Sequence, residues 1–182
     1  MIDLQPYAEN YDDLPANTAM AEWLAEQPQD VWVSLAGSLN WDNALPTMHW
    51  MIEQPSCERA VAAAIFWLGA DALESGDSPE EANNDQACRM LMAIARRAST
   101  LGYPATLIPD DDTMEMVADE DADSWAEKGI SWMPGQRFPM QMFGPFGTKE
   151  AVLPADAHPV KNSHAWDLFS ALGTNFGERP AG

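Results

Sequence analysis

The chain has 182 residues and a mass of 20.0 kDa, and 46% of its residues are apolar, enough for one buried core. Nine Lys and Arg stand against 29 Asp and Glu, giving a net charge of −20 and a pI near 4.1. That balance excludes direct binding to nucleic-acid phosphates or an anionic membrane and favours a soluble partner with a basic surface.

The N-terminal residues Met1–Pro15 carry neither a basic stretch nor an apolar stretch, so they do not read as a secretory signal. The longest apolar run, Ala60–Ala70, is too short to span a bilayer. The expected location is therefore the cytoplasm. There Cys57 and Cys88 remain free thiols, and no disulfide, structural zinc or other cofactor is expected.

In chain order, Asn17 or Thr18 is read as the cap of a helix ending near Gln27. A second helix runs from Pro28 to Leu39, with Pro in a helix-start position. Asn40-Trp41-Asp42-Asn43 reads as a break, followed by a short helix over Pro46–Glu53. Trp23, Trp32, Trp41 and Trp50 are nine residues apart. That is two and a half helical turns, so each belongs to a different short helix around a shared core. Ser56 is read as the cap of an apolar helix from Cys57 to about Leu73, placed at the centre of the bundle. Ser78-Pro79-Glu80-Glu81 is a capping box opening a helix that ends at Leu101, with a buried stripe of Leu91, Ile94, Ala95, Ala98 and Leu101.

Beyond Pro104 the composition changes. Ala105–Ile108 is read as a short strand. Residues 109–128 are strongly acidic with partial helical periodicity. A β-hairpin is expected to pair 130–133 with 137–143, although Pro139 weakens that pairing. Asn162 or Ser163 caps a last helix over His164–Leu172, with Gly173 as its C-cap glycine. The expected fold is mainly α: a helical bundle around a central apolar helix, with an irregular C-terminal part holding the hairpin. The division is a helical domain over 1–104 and an acidic, Gly/Pro/Met-rich extension over 105–182 packed on it.

The search for chemistry finds no Gly-rich phosphate loop and no nucleophile elbow. His49, His158 and His164 lack a metal-ligand spacing, and no metal is assigned. Cys57 follows a Pro-Ser cap, where a helix N-terminus lowers a thiol pKa, and His49 is the nearest candidate base. A buried structural cysteine is the alternative. Asp110, Asp111, Asp112 and Glu115 admit three readings: a calcium ligand set lacking the EF-hand alternation, a solvated helix cap, or a surface for a basic protein. Arg89, Arg96 and Arg97 share one side of their helix. They serve either intramolecular pairing with the acidic surplus or an anion site.

The stretch Ser38–Ala70 combines an Asn-Trp-Asp break, a short helix carrying a Trp, a Pro, a Cys-bearing helix start and an apolar helix ending in Phe-Trp. Through Asn40, Trp41, Asp42, Trp50, Pro55, Cys57, Ala64, Phe66 and Trp67 it resembles a bacterial domain-of-unknown-function family, number 4274, over roughly residues 27–100. The resemblance implies no activity and carries over no catalytic residues. By analogy, small acidic helical proteins of this kind resemble immunity proteins encoded beside secreted toxins.

The expected function is thus not enzymatic. The chain is read as a cytoplasmic immunity protein that binds a basic cognate toxin, delivered by a secretion system, and covers its active site. An effector-loading adaptor or chaperone is the alternative, and a small Cys-dependent enzyme a third reading. Expected partner contacts are Asp110, Asp111, Asp112, Glu115, Asp119, Glu120, Asp121 and Asp123, with an apolar anchor of Met133, Phe138, Met140, Met142 and Phe143.

Overall fold

A computed structural model describes residues 1–8, 14–70, 86–132 and 137–181, with 128–132 described as helix backbone alone. Among these residues the chain is mainly α-helical, with no strand. A 3₁₀ turn over Gln5–Tyr7 is followed by α1 (Leu14–Ala25), α2 (Gln29–Ala36) and α3 (Trp41–Glu53).

Helix α1 starts before the expected cap, so Asn17 lies inside it and is fully buried. The reason lies in α3, which begins at Trp41 and includes Pro46. Proline has no N–H to donate and crowds the carbonyl four residues back, which loosens the helix there. Asn17 clamps that turn. Its Nδ2 donates to the Asn43 carbonyl at 2.9 Å, and its Oδ1 accepts from the Thr47 N–H at 3.2 Å and from Thr47 Oγ1 at 2.7 Å. The expected break at 40–43 is instead a helix start, where the Asn40 side chain accepts from the Asp42 N–H.

The four regularly spaced tryptophans separate into different environments. Trp32 and Trp50 are buried against each other at 5.3 Å, with Trp32 Nε1 donating to the Leu24 carbonyl. Trp23 packs edge-on against Phe169, and Trp41 lies over Gly69. A Cβ on Gly69 would come within 1.8 Å of the Trp41 ring.

Helix α4 (Arg59–Leu68) is buried from Ala60 through Trp67 and meets α2, α3 and the later elements. Its many alanines let neighbouring backbones approach, while Ile65, Phe66 and Trp67 fill the space between them. It starts at Arg59 rather than Cys57, because Glu58 takes the N-cap position. The Glu58 carboxylate turns away from its own helix and accepts from the Thr106 N–H and Oγ1, tying the segment after Pro104 to the start of α4. The expected extension of this helix to Leu73 and the capping box at Ser78–Glu81 lie outside the described residues.

Helix α5 (Gln86–Thr100) buries Leu91, Ile94 and Ala95, as its periodicity predicts. Ala98 is half-buried, and Leu101, past the helix end, is 90% exposed.

After Pro104 the expected strand reduces to one isolated parallel bridge, Leu107 to Lys149. Gly147 is required there: a Cβ would lie 2.0 Å from the Thr106 carbonyl carbon, so the two extended segments touch backbone to backbone. Two helices follow, α6 (Asp111–Asp119) and α7 (Ala122–Trp132).

The expected hairpin does not form. Residues 130–132 continue α7, and Met140–Phe143 make a single 3₁₀ turn that packs on α4. Pro139 cannot donate to a ladder, and in a tight turn residues 138 and 142 can both face the core. Helix α8 (Ser163–Ala171) is capped by Asn162, which accepts from the Ala165 N–H at 3.0 Å. It ends at Gly173, in the left-handed region at φ +81°. Its fully buried Phe169 docks the C-terminal part against α1.

Candidate functional site

Helices α6 and α7 carry the acidic run, and local chemistry explains both. Asp110 is the N-cap of α6, with Oδ1 accepting from the Thr113 N–H at 2.8 Å. Asp111 and Asp112 occupy the first turn, where carboxylates favour the positive end of the helix dipole. Asp121 starts α7, accepting from the Asp123 N–H.

Among the described residues, Thr113, fully buried, and Trp125, buried beneath the Glu120 carboxylate that accepts from its Nε1, face inward, and Met116, Val117 and Ala126 pack partly buried on the core. Asp111, Asp112, Glu115, Asp119 and Asp123 are exposed. Among the described residues none of these five takes part in an ion pair. Met114 stands between them, 38% exposed.

The apolar anchor expected beside this face is largely core, which corrects the sequence reading. Phe138 is 6% exposed and Met142 fully buried. Phe138 stacks within an aromatic cluster with Phe66, Trp125 and Phe143, at centroid distances of 5.6, 6.3 and 5.9 Å. Trp67 joins the cluster through Trp125 at 5.5 Å and Phe143 at 4.9 Å, and its Nε1 donates to the Met142 carbonyl at 2.9 Å. Phe143 is half-buried there, and Met140, 46% exposed, keeps an outward side chain. Met133 lies outside the described residues. Burying a large apolar side chain contributes about 1.5–3 kcal/mol, so these residues serve the fold before any partner.

The Cys57 and His49 pairing is not assembled. Cys57 is fully buried, its Sγ lies 3.6 Å from the Glu58 carbonyl, and burial pushes its thiol up to about 12. The charged groups acting on it are Arg97 and Glu58. His49 instead stacks on Tyr7 at 4.6 Å and places Nε2 3.6 Å from Glu53. Its pKa is lowered, chiefly by burial, with Arg89 and Arg96 adding to the effect against the opposing pull of Glu53. Tyr7 donates to the same Glu53 carboxylate at 2.7 Å; burial and that bond raise its pKa to about 12.

A consequence follows for Cys57. Its thiolate population at pH 8 should be roughly a thousandfold below that of an ordinary thiol of pKa 9.0. Iodoacetamide labelling at pH 8, mapped by peptide mass, should leave Cys57 unmodified in the native chain and modify it promptly in urea. Rapid native labelling would contradict the buried, protonated thiol.

Of the three arginines, Arg97 pairs with backbone carbonyls among the described residues. Its Nη1 donates to the carbonyls of Ile52 and Gln54 at 2.7 and 2.6 Å, Nη2 donates to Pro55, and Nε donates to Gly102. Its guanidinium also lies 4.3 Å from the Tyr103 ring centre. It therefore closes the C-terminal end of α3, whose last carbonyls have no partner within the helix. Arg89 and Arg96 are exposed.

Among the described residues no three His, Cys, Asp or Glu side chains converge on a point that could hold a metal ion. Among them, too, no helix is long and apolar enough to cross a membrane.

Fold and surface together define a helical protein that carries a fixed, outward-facing acidic helix pair. Residues 27–98 match a family model described as Domain of unknown function (DUF4274), in agreement with the resemblance read around Asn40-Trp41-Asp42. No curated protein and no solved structure matches the chain. The matched segment spans α2 to α5 and includes the Trp32–Trp50 pair, α4 and Arg97, all placed in the core or its edge. The acidic helix pair lies outside it.

Proposed function

We propose that this chain is an acidic immunity protein, which binds a basic cognate toxin delivered by a secretion system and neutralises it by covering the active site. The observation that carries this reading is the exposed carboxylate face of α6 and α7 on a chain of net charge −20. Thr113 and Trp125 hold that face in one geometry, so its field is presented to a partner without a cost of ordering. Complementary charge raises association rates toward about 10⁸–10⁹ M⁻¹s⁻¹ at low salt, and a cationic catalytic cleft is the surface such a field finds first. Met114 on this face and Met140 further along the chain are exposed apolar side chains that can add contact area once docked. The Cys-dependent enzyme is the less supported reading, because the Cys57 thiol is buried and held protonated while His49 pairs with Tyr7 and Glu53 instead.

The test begins with affinity purification of the tagged chain from its host. One stoichiometric basic partner is expected, and its toxicity should vanish in the complex. A partner that stays active when bound identifies the chain as an effector-loading adaptor instead. With the partner in hand, replacing Asp112, Glu115 and Asp119 by Lys should slow association at low salt by about 10–100-fold and flatten its salt dependence. Unchanged association kinetics would remove α6 from the interface.

A further inference from the structure

Next to the acidic helix pair lies an open groove of about 430 Å³, within the roughly 300–1,000 Å³ range of small-ligand sites. Three distant parts of the chain build it: Val33 and Ser34 of α2, Ile108 to Asp111 at the entrance to α6, and Glu150 with Ala151. Its apolar lining is offered mainly by the half-buried Ile108 and Ala151, with Val33 and Pro109 buried behind them. The charged groups on it are Asp110, Asp111 and Glu150, with no Lys or Arg among the lining residues.

The neighbouring carboxylates already have partners. Asp110 caps α6 and lies against Gly37. Asp30 is held by Lys149 at 2.8 Å, which keeps its carboxyl below the usual range. Asp111 and Glu150 are exposed, and among the described residues neither forms an ion pair. The N-terminal dipole of α6 carries about half a positive charge, which Asp110, Asp111 and Asp112 outweigh.

The apolar surface of Ile108 and Ala151 beside two exposed carboxylates complements a long aliphatic stem that ends in a cation. We propose that this groove docks an arginine side chain presented by a basic protein partner. The stem lies against Ile108 and Ala151, and the guanidinium is shared by Asp111 and Glu150. Arginine fits better than lysine because its planar, weakly hydrated head can pair with two carboxylates at once. The inference deepens the proposed function, and rests on it only for the identity of the protein that presents the arginine.

The test uses the full ¹⁵N-labelled chain, titrated with blocked Gly-Arg-Gly, Gly-Lys-Gly and Gly-citrulline-Gly peptides. The arginine peptide should shift the Val33, Ile108 and Ala151 amides saturably, the lysine peptide should bind several-fold more weakly, and citrulline should leave them unmoved. The double variant Asp111→Asn/Glu150→Gln should weaken arginine binding by about tenfold or more. Asp119→Asn/Asp123→Asn removes the same charge elsewhere and should change it by less than about twofold.

Equal weakening in both variants, or shifts spread evenly along α6 and α7, would reduce the effect to bulk charge and overturn the groove. Equal binding of the lysine peptide would overturn the choice of arginine. A toxin bound equally well by the wild-type chain and by Asp111→Asn/Glu150→Gln overturns the groove and leaves neutralisation standing. Saturable, groove-specific peptide binding without any recoverable toxin supports the groove and counts against the immunity reading.

Discussion

Truncating Trp67 to alanine is expected to lower the unfolding free energy by about 3–5 kcal/mol. Trp67 is 5% exposed at the end of α4, with Phe66, Trp125 and Phe143 around its ring and the Met142 carbonyl on its Nε1. The truncation empties the middle of the aromatic cluster and strands a buried carbonyl. Trp67→Phe keeps most of the ring contact and should cost about 1–2 kcal/mol, mainly for the lost hydrogen bond. Urea unfolding followed by circular dichroism measures both. The loss in the alanine variant is a large fraction of the roughly 5–15 kcal/mol that holds an ordinary domain together. A cost below about 1 kcal/mol would mean that the segment around Met140–Phe143 does not depend on α4 for its place.

The second large effect belongs to Arg97. Arg97→Ala should destabilise the chain by about 2–4 kcal/mol, because it leaves the carbonyls of Ile52, Gln54 and Pro55 without their charged donor. The loss stays modest because the side chain is half-exposed and its bond to Pro55 is open to water. Arg97→Lys should recover less than half of the loss, since one ammonium cannot reproduce a fork that spans four carbonyls and lies over Tyr103. Thermal melts of the three proteins measure this. Full recovery by lysine would show that charge alone matters at this position, as in an anion site, and not the geometry of the helix end.

These two residues show where sequence reading reaches its limit. The buried stripe of α5 was legible, because a period of 3.6 is a property of neighbouring residues. The same holds for the Asn162 cap of α8, where a side chain reaches a backbone N–H three residues on, whereas a helix cap was only one of three readings open for the run that starts at Asp110. Arg97 was legible as a helix residue but not as the closure of α3, since its acceptors lie more than forty residues away. Met142 and Phe138 read as an exposed, adaptable anchor because their surroundings in sequence are Gly, Pro and Gln. The apolar face of α4 that covers them is seventy residues earlier. Asn17 read as a cap because Asn favours caps, and its pairing with the Pro46 turn needs α1 and α3 side by side.

Composition and local periodicity thus account for the helical class, some of the helix caps and the net charge of −20. They act over a few residues, or over the whole chain at once as net charge, and need no knowledge of which helices meet. The direction in which each Met and Phe of the C-terminal part points, the protonated burial of Cys57 and the groove between Val33, Asp111 and Glu150 depend on contacts between segments far apart in the chain. Such contacts are set by packing shape and by the satisfaction of buried polar groups, and neither leaves a periodic trace in the order of the residues.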